Sequence, residues 1–297
     1  MTTVRHALLV LNPGRVEARA AALLVISALQ GHGFRIRVAS DDVEAWGANA
    51  PAGIDVVPAD EHAADDTEIV VVLGGDGTIL RAAERARHAC IPLLTVNLGH
   101  VGFLAEAESE DIDAVVEAVV HRRWHVEERM ALDIRVLDGD ELLLRTWALN
   151  EVSIEKAAGA RMIEVLVAID RRPLSRWGCD GVVAATPTGS TAYAFSGGGP
   201  VVWPDVEAML LVPLSAHALF ARPLVVGPSS LICLELSGDS NAWLAADSRR
   251  TFELRGGHRV EVRRDPSPVL LARLVPAPFT DRLVAKFALP VDGWRTS

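Results

Sequence analysis

Apolar residues fall into two rhythms along this chain. Over the first 125 residues, unbroken apolar runs alternate with stretches of helical spacing. "HALLVLN" (6–12) predicts a buried strand, residues 17–30 a helix that Gly31 would stop, and "FRIRVA" (34–39) a strand of period two. A polar, Ala/Asp-rich stretch (40–67) carries no assigned element. Then come the strand "EIVVVLG" (68–74), a helix from Thr78 to His88, the strand "IPLLTVNLG" (91–99) and the helix "EDIDAVVEAVVHRRW" (110–124). In that last helix Ile112, Val115, Val116, Val119 and Val120 share one face. Continuously apolar strands between helices indicate a parallel sheet covered on both faces.

From about residue 126 the rhythm changes to alternation. "MALDIRVLDGDELLLRTWALNEVSIEK" carries an Asp138-Gly139 turn, a hairpin signal, and the theme repeats through "RMIEVLVAIDRRPLSRW" and "SSLICLELSGDSNAWLAADSRRTFELRGGHRVEVRRD". The expected organisation is an α/β domain over 1–125 and an antiparallel, β-rich domain over 126–276. A tail from about 277 to 297 is expected to pack back on the first domain. No internal repeat or low-complexity linker interrupts this plan.

Composition narrows the function classes. The 297 residues suffice for two domains. No apolar run reaches the length of about 18 residues that a membrane span needs. Asn12-Pro13-Gly14 breaks the N-terminal apolar run, which reads as a first strand and turn rather than a signal peptide. Cys90, Cys179 and Cys233 form neither a disulfide framework nor a zinc spacing, so a soluble cytoplasmic protein is expected. The formal charge of −10 argues against a nucleic-acid partner. Of 29 basic residues only Lys156 and Lys286 are lysines, which leaves 27 arginines. Any cation holding a phosphate is therefore expected to be arginine or a metal.

Four stretches carry candidate chemistry. Gly74-Gly75-Asp76-Gly77-Thr78 directly follows a strand. Its glycines let backbone approach a ligand closely, Thr78 can cap the next helix, and helix N-termini favour anions. The alternative is a plain tight turn capped by Asp76. No Walker lysine pattern is present, and Leu80 stands where a G-x-G-x-x-G fingerprint needs glycine. Asn97-Leu98-Gly99-His100-Val101-Gly102-Phe103 leaves the next strand at the same carboxyl edge, where open α/β sheets bind ligands; His100 by itself reads as structural more readily than catalytic. Asn150-Glu151 offers an amide and a carboxylate for ribose hydroxyls or adenine, or else a polar strand end. "CDGVVAATPTGSTAYAFSGGGPVV" (179–202) is too dense in hydroxyls and glycines for a plain hairpin. It contains the one tyrosine, Tyr193, whose ring can pack on a flat heterocycle. His121 and His125 have the spacing of helical metal ligands but no third partner, and fit a charged helix end. No direct metal ligand is assigned to a protein side chain, and no G-x-S-x-G elbow occurs.

In this order, GGDGT (74–78), NLGHVGF (97–103), LNE (149–151) and DGVVAATPTGSTAYAFSGGGP (180–200) resemble the NAD kinase family. "PLSAHALFARPLVV" (213–226) and "APFTDRLVAKFALPV" (277–291) extend the resemblance over most of the chain, closest to the actinobacterial branch. GGDGT alone is shared with diacylglycerol and sphingosine kinases and phosphofructokinases, which lack the TPTGSTAYAFSGGGP block. The resemblance implies an NAD kinase-like fold: an α/β N-terminal domain, with a parallel sheet and flanking helices, plus a β-rich antiparallel C-terminal domain. It implies Asp76 and Gly77 at the adenosine ribose, and Asn150 and Glu151 on the NAD adenosine. Asp180, Thr188, Thr191, Ala192, Tyr193 and Ser196 would line the same pocket, with Arg81 and Arg161 as basic ligands of the dinucleotide. Two departures are Gly178, where some members carry arginine, and "LAADSRR" (244–250), where many have an Asp-Gly turn.

The implied reaction moves a phosphoryl group from ATP, or from inorganic polyphosphate, to the 2′-hydroxyl of the adenosine ribose of NAD, giving NADP. Such transfers depend on positioning and charge neutralisation. A ribose hydroxyl is a poor nucleophile, so Asp76 is expected to orient it and accept its proton. Gly74, Gly75, Gly77 and Thr78 are expected around the donor phosphates, with Mg²⁺ offsetting their charge. The expected partners are NAD and ATP, without nucleic acid or membrane, and the family resemblance implies a homodimer or homotetramer. Two competing readings are a lipid or sugar kinase sharing the glycine loop, and a nucleotide sensor without activity.

Overall fold

The computed structural model describes residues 4–98, 102–104, 107–108, 112–274 and 278–291. They divide into two compact units, one of residues up to Glu128 together with those from Val269 onward, the other Arg129–Pro268.

The first unit is built on a mostly parallel sheet. Its strands are β1 (Arg5–Leu11), β2 (Phe34–Ala39), β3 (Asp55–Val57), β4 (Ile69–Leu73), β5 (Leu93–Asn97), β6 (Ala107–Glu108) and β7 (His125–Arg129). A return strand, Val269–Arg273, is inserted between β5 and β7, so the order is β3-β2-β1-β4-β5-return-β7, with β6 paired to β5. The helices are α1 (Val16–Gly31), α2 (Ser40–Trp46), α3 (Asp76–Ala86), α4 (Ile112–His121) and a terminal helix, Phe279–Phe287. Leu9, Leu11, Val71 and Leu73 join the apolar faces of α1 and α4 in one core, while Leu8, Val10, Val70 and Val72 are equally buried on the opposite face. Burial on both faces is why these strands read as unbroken apolar runs. The terminal helix sets Phe279 and Phe287 about Phe103, with ring centroids 6.0 and 5.8 Å away.

Several local expectations change. Gly31 is the last residue of α1 rather than its stop; the left-handed turn falls at Gly33, with φ 83°. The polar stretch 40–67 hides α2, because a single buried tryptophan, Trp46, and one buried acid, Asp42, anchor it without an apolar stripe. Val269–Arg273, which the expected 126–276 domain would include, instead pairs in parallel with β5 through Leu271 and Ala272. Its short apolar run VLLA reports a buried strand, not which sheet the strand joins.

The second unit is antiparallel throughout its paired strands. One sheet runs β15-β14-β13-β10-β17-β18 and the other β12-β11-β16-β19-β8-β9. Their ranges are β8 Leu132–Asp138, β9 Glu141–Ala148, β10 Glu151–Lys156, β11 Ile163–Ile169, β12 Arg172–Cys179, β13 Gly181–Ala185, β14 Met209–Leu214, β15 Leu224–Val226, β16 Ile232–Leu236, β17 Asn241–Ala246, β18 Arg250–Arg255 and β19 His258–Arg264. Val152, Ile154, Val182 and Leu244 from one sheet meet Ile134, Val165, Leu234 and Val260 from the other in a single core around fully buried Trp177. The Asp138-Gly139 hairpin joins β8 to β9. A one-turn helix, α5 (Tyr193–Ser196), follows β13 and covers the outer face of its sheet.

Candidate functional site

In the first unit, the ends of three parallel strands lie level: Leu11 pairs with Leu73, and Leu73 with Val96. The loops after β1, β4 and β5 therefore leave one carboxyl edge, where ligands of open α/β sheets bind. Arg15 ties two of them by donating to the Leu98 carbonyl at 3.1 Å. Gly99, His100 and Val101 lie outside the described residues.

The GGDGT loop departs from its expected roles in two details. Helix α3 starts at Asp76, with Gly75 at the N-cap and Thr78 inside the first turn, where its N–H donates to the Gly75 carbonyl at 2.9 Å. Thr78 is thus not the cap. Gly74 donates its N–H to the Val96 carbonyl at 3.0 Å, so the sheet has already used the group that a phosphate would need. The N–H groups of Gly75, Asp76 and Gly77 have no acceptor among the described residues, and they open the helix at its positive end.

Asp76 is held from the other side. An added Cβ on Gly102 would stand 2.5 Å from Asp76 Oδ1 and 3.2 Å from Cγ, so only glycine lets this backbone reach the carboxylate. The Leu104 N–H makes a long contact to the same Oδ1 at 3.4 Å, and Thr95 Oγ1 donates to the Leu104 carbonyl at 3.0 Å. The carboxylate is half-buried, with a backbone wall behind it and helix N–H groups beside it.

Arg81 takes a different part from the one expected. Its guanidinium reaches the Leu11 carbonyl and lies 3.0 Å from Asp42 Oδ1. Asp42 also accepts from Arg85 at 2.7 Å, and Arg85 reaches Asp41 at 2.5 Å. Burial raises the Asp42 pKa against the pull of Arg85 and Arg81. This cluster bolts α2 and the end of β1 to α3, the helix that carries the loop.

In the second unit, the outer face of β10 presents Glu151, Ser153 and Glu155, while Val152 and Ile154 point into the core. Over that face fold Thr186–Ser196. Thr188–Thr191 form a 3-10 turn, and α5 follows from Tyr193. Thr186 donates its N–H to the Asn150 carbonyl at 2.9 Å and its hydroxyl to the Leu149 carbonyl at 2.6 Å. A Cβ on Gly189 would lie 2.0 Å from the Asn150 carbonyl oxygen, which is why a glycine stands between the hydroxyl residues. Ser190 is fully buried and bridges to both Val202 backbone groups. Thr188 and Thr191 are linked to each other, Thr191 Oγ1 donating to the Thr188 carbonyl at 3.3 Å.

Asn150, Glu151 and Tyr193 come together. The Asn150 side-chain amide is half-exposed and has no partner among the described residues. Glu151 is 5% exposed and accepts the Tyr193 N–H at 3.4 Å. Burial first, and the charge of Asp247 second, push its carboxyl up to about 7, while that N–H pulls it down. The Tyr193 ring packs on Val183, Ala185 and Ala194, and its pKa is raised by burial and by Glu155, to which its hydroxyl bonds. Ala192 is half-buried beside them and Ser196 exposed.

Asp180 sits apart, at the turn into β13, where Lys156 pairs with it at 2.6 Å. The Lys156 hydrogen bond lowers its pKa, burial opposes it, and the Lys156 charge and a Ser215 hydrogen bond add to the lowering. Lys156 also donates to the Arg161 carbonyl at 3.3 Å, while the Arg161 side chain is exposed. Sequence reasoning set the lysines aside as too few to matter, yet one of the two pairs with a candidate site residue. It also passed over Asp247, whose carboxylate accepts the N–H groups of Leu149 at 2.9 Å and Asn150 at 2.7 Å. The only signal was the departure at "LAADSRR". His121 and His125 do not share a helix face: His121 ends α4 and pairs with Glu117, while His125 begins β7.

Comparison with known proteins agrees with this architecture. Residues 8–124 match the family model described as the ATP-NAD kinase N-terminal domain, and residues 149–274 the ATP-NAD kinase C-terminal domain. An NAD kinase of Thermobifida fusca is 57% identical, over 99% of this chain and 92% of its own length. One of Mycobacterium tuberculosis is 52% identical over 99% of each. Among solved structures, yeast NADH kinase complexed with NADH superposes with a TM-score of 0.87 at 25% identity, covering 99% of this chain and 90% of that one. An NAD kinase from Archaeoglobus fulgidus in complex with ATP gives a TM-score of 0.73 at 25% identity, over 95% and 98%.

Proposed function

The chain belongs to the NAD kinase family and transfers a phosphoryl group from ATP to the 2′-hydroxyl of the adenosine ribose of NAD, forming NADP; we propose that Asp76 receives the proton of that hydroxyl. The observation that carries this assignment is the fixing of its carboxylate against Gly102, at the mouth of a helix whose first N–H groups are available to an anion. A base fixed in place loses no orientational freedom at the moment of transfer. The acid within a phosphate loop therefore serves the acceptor, and the N–H groups of Gly75 and Gly77 serve the donor.

The adenosine is held, in this reading, by Asn150 and Glu151, with Thr188, Thr191, Ala192, Tyr193 and Ser196 around it. Support comes from the Asn150 amide, without a partner among the described residues, the buried Glu151 carboxylate and Tyr193, packed against an apolar cluster. Asp180 with Lys156, and Arg161, complete the dinucleotide contacts; Arg81, committed to Asp42, steadies α3 instead.

Mg²⁺ fits this donor set as an ion carried in largely by substrate. Among the described residues no three His, Cys, Asp or Glu side chains gather to hold a metal. Its ligands would be phosphate oxygens and water, with the Asp76 carboxylate near by rather than as a direct ligand. When bound, the ion neutralises charge on the donor phosphates. Polyphosphate fits as an alternative donor, because backbone N–H groups recognise phosphate oxygens and no base. Action in the cytoplasm as a homodimer or homotetramer rests on the family resemblance. The test is incubation of the purified protein with NAD and Mg²⁺ and either ATP or polyphosphate. NADP formed with ATP supports the reading, and NADP formed with polyphosphate as well adds the second donor; none with ATP overturns it.

A further inference from the structure

We infer that Asp247 is a positioning residue for the acceptor: its buried carboxylate shapes the Leu149-Asn150-Glu151 bend that presents Asn150 and Glu151. The inference rests on the reading that those two side chains hold the NAD adenosine.

Successive N–H groups of a regular strand point to opposite sides. Between β9 and β10 they do not. The N–H groups of Leu149, Asn150 and Glu151 all turn onto one carboxylate: Oδ2 accepts from Leu149 at 2.9 Å, and Oδ1 from Asn150 at 2.7 Å and Glu151 at 3.3 Å. Three converging N–H groups form a concavity that requires an anion inside it. Asp247 is 3% exposed, so no water can take its place without rearrangement. It reaches in from a tight turn in which Asp247 and Ser248 both adopt left-handed backbone, with φ 50° and 55°.

The rest of the bend holds that carboxylate in place. Arg250 donates to Oδ2 at 3.0 Å and to the Trp147 carbonyl at 2.8 Å, with its guanidinium stacked 4.6 Å over the Trp147 ring. The Asp247 N–H donates to the Glu151 carbonyl at 2.9 Å, closing the turn on the segment it organises. With its N–H drawn inward, Asn150 directs its carbonyl to Thr186, and its side-chain amide has no partner among the described residues. Asp247 touches neither substrate in this arrangement; it acts through the backbone that carries the two side chains.

The test measures KM for NAD and KM for ATP separately in the full-length protein for Asp247→Asn, Asp247→Glu and Asn150→Ala. The asparagine keeps the shape but replaces one acceptor with a donor, turning it against an N–H. The expected result is a rise of at least tenfold in KM for NAD in Asp247→Asn, a smaller rise in Asp247→Glu, and KM for ATP within twofold of wild type in both. If Asn150→Ala raises KM for NAD while the folded Asp247 variants do not, the inference falls alone. If Asn150→Ala leaves KM for NAD unchanged, the reading of the adenosine site falls and takes the inference with it. A parallel rise in both KM values, or failure of both Asp247 variants to fold, assigns Asp247 a purely structural role and overturns the proposal.

Discussion

The backbone of Gly102 stands against the carboxylate of Asp76, so closely that a methyl group there would lie 2.5 Å from Oδ1. The neighbour that must yield is the end of a side chain rather than a backbone. Gly102→Ala is thus expected to leave the melting temperature nearly unchanged and to lower kcat by about tenfold or more, because a small misplacement of a reacting group is costly. Wild-type turnover in this variant would show that the carboxylate position is not critical.

Gly189 meets a harder obstacle. The Asn150 carbonyl oxygen, 2.0 Å from an added Cβ, belongs to backbone that cannot rotate away. Gly189→Ala is expected to lose about 2–3 kcal/mol in urea unfolding and to raise KM for NAD in whatever fraction folds. Retained stability would contradict the packing described for the Thr186–Ser196 segment.

Glu151 sets a pH dependence. Its carboxyl, at about 7 in the folded protein, accepts ribose hydroxyls more strongly and with both oxygens when ionised. The charged group that acts on it is Asp247, which raises its pKa beyond what burial does, while the Tyr193 N–H opposes both. NAD affinity is expected to rise by about tenfold between about pH 6 and about pH 8, and Glu151→Gln to flatten that profile. Folding stability has the opposite sign. The unfolded glutamate ionises near 4.5 and the native one only near 7, so the native state binds the extra proton in between and stability falls as pH rises through that window. Calorimetric titration with NAD across the range checks the first sign, and thermal melts of wild type against Glu151→Gln the second.

Arg85 is 3% exposed and holds Asp41 and Asp42 against α3. Removing Arg85 leaves buried Asp42 with Arg81 as its remaining cation, so Arg85→Ala is expected to cost about 3 kcal/mol, the low end for a broken buried pair. A loss well below that in chemical denaturation would mean the cluster is solvated.

Most of the architecture was legible because its signals are local. Unbroken apolar runs marked the parallel strands, alternation marked the antiparallel ones, and Asp138-Gly139 marked a hairpin. Helix α2 was hidden because one tryptophan and one buried ion cluster do the anchoring that an apolar stripe normally does. In the candidate site, Asp76, Asn150, Glu151 and Tyr193 stood out from their motifs, and the structure brings Asn150, Glu151 and Tyr193 together. The use of Gly74's N–H by the sheet, the engagement of Arg81 by Asp42 and the pairing of Lys156 with Asp180 were not, since each depends on a partner remote in sequence. Asp247 was hardest, lying 97 residues from the amide it holds.

The role proposed for Asp76 lies at the acceptor's hydroxyl rather than in holding either substrate. Single-turnover kinetics of Asp76→Asn, with calorimetric NAD binding on the same preparation, test it most directly. The expected result is NAD affinity within about twofold of wild type and phosphoryl transfer slowed by roughly 10² or more, the range for loss of a general base. Transfer at near wild-type rate, or lost NAD binding with an unchanged rate for bound substrate, would contradict it.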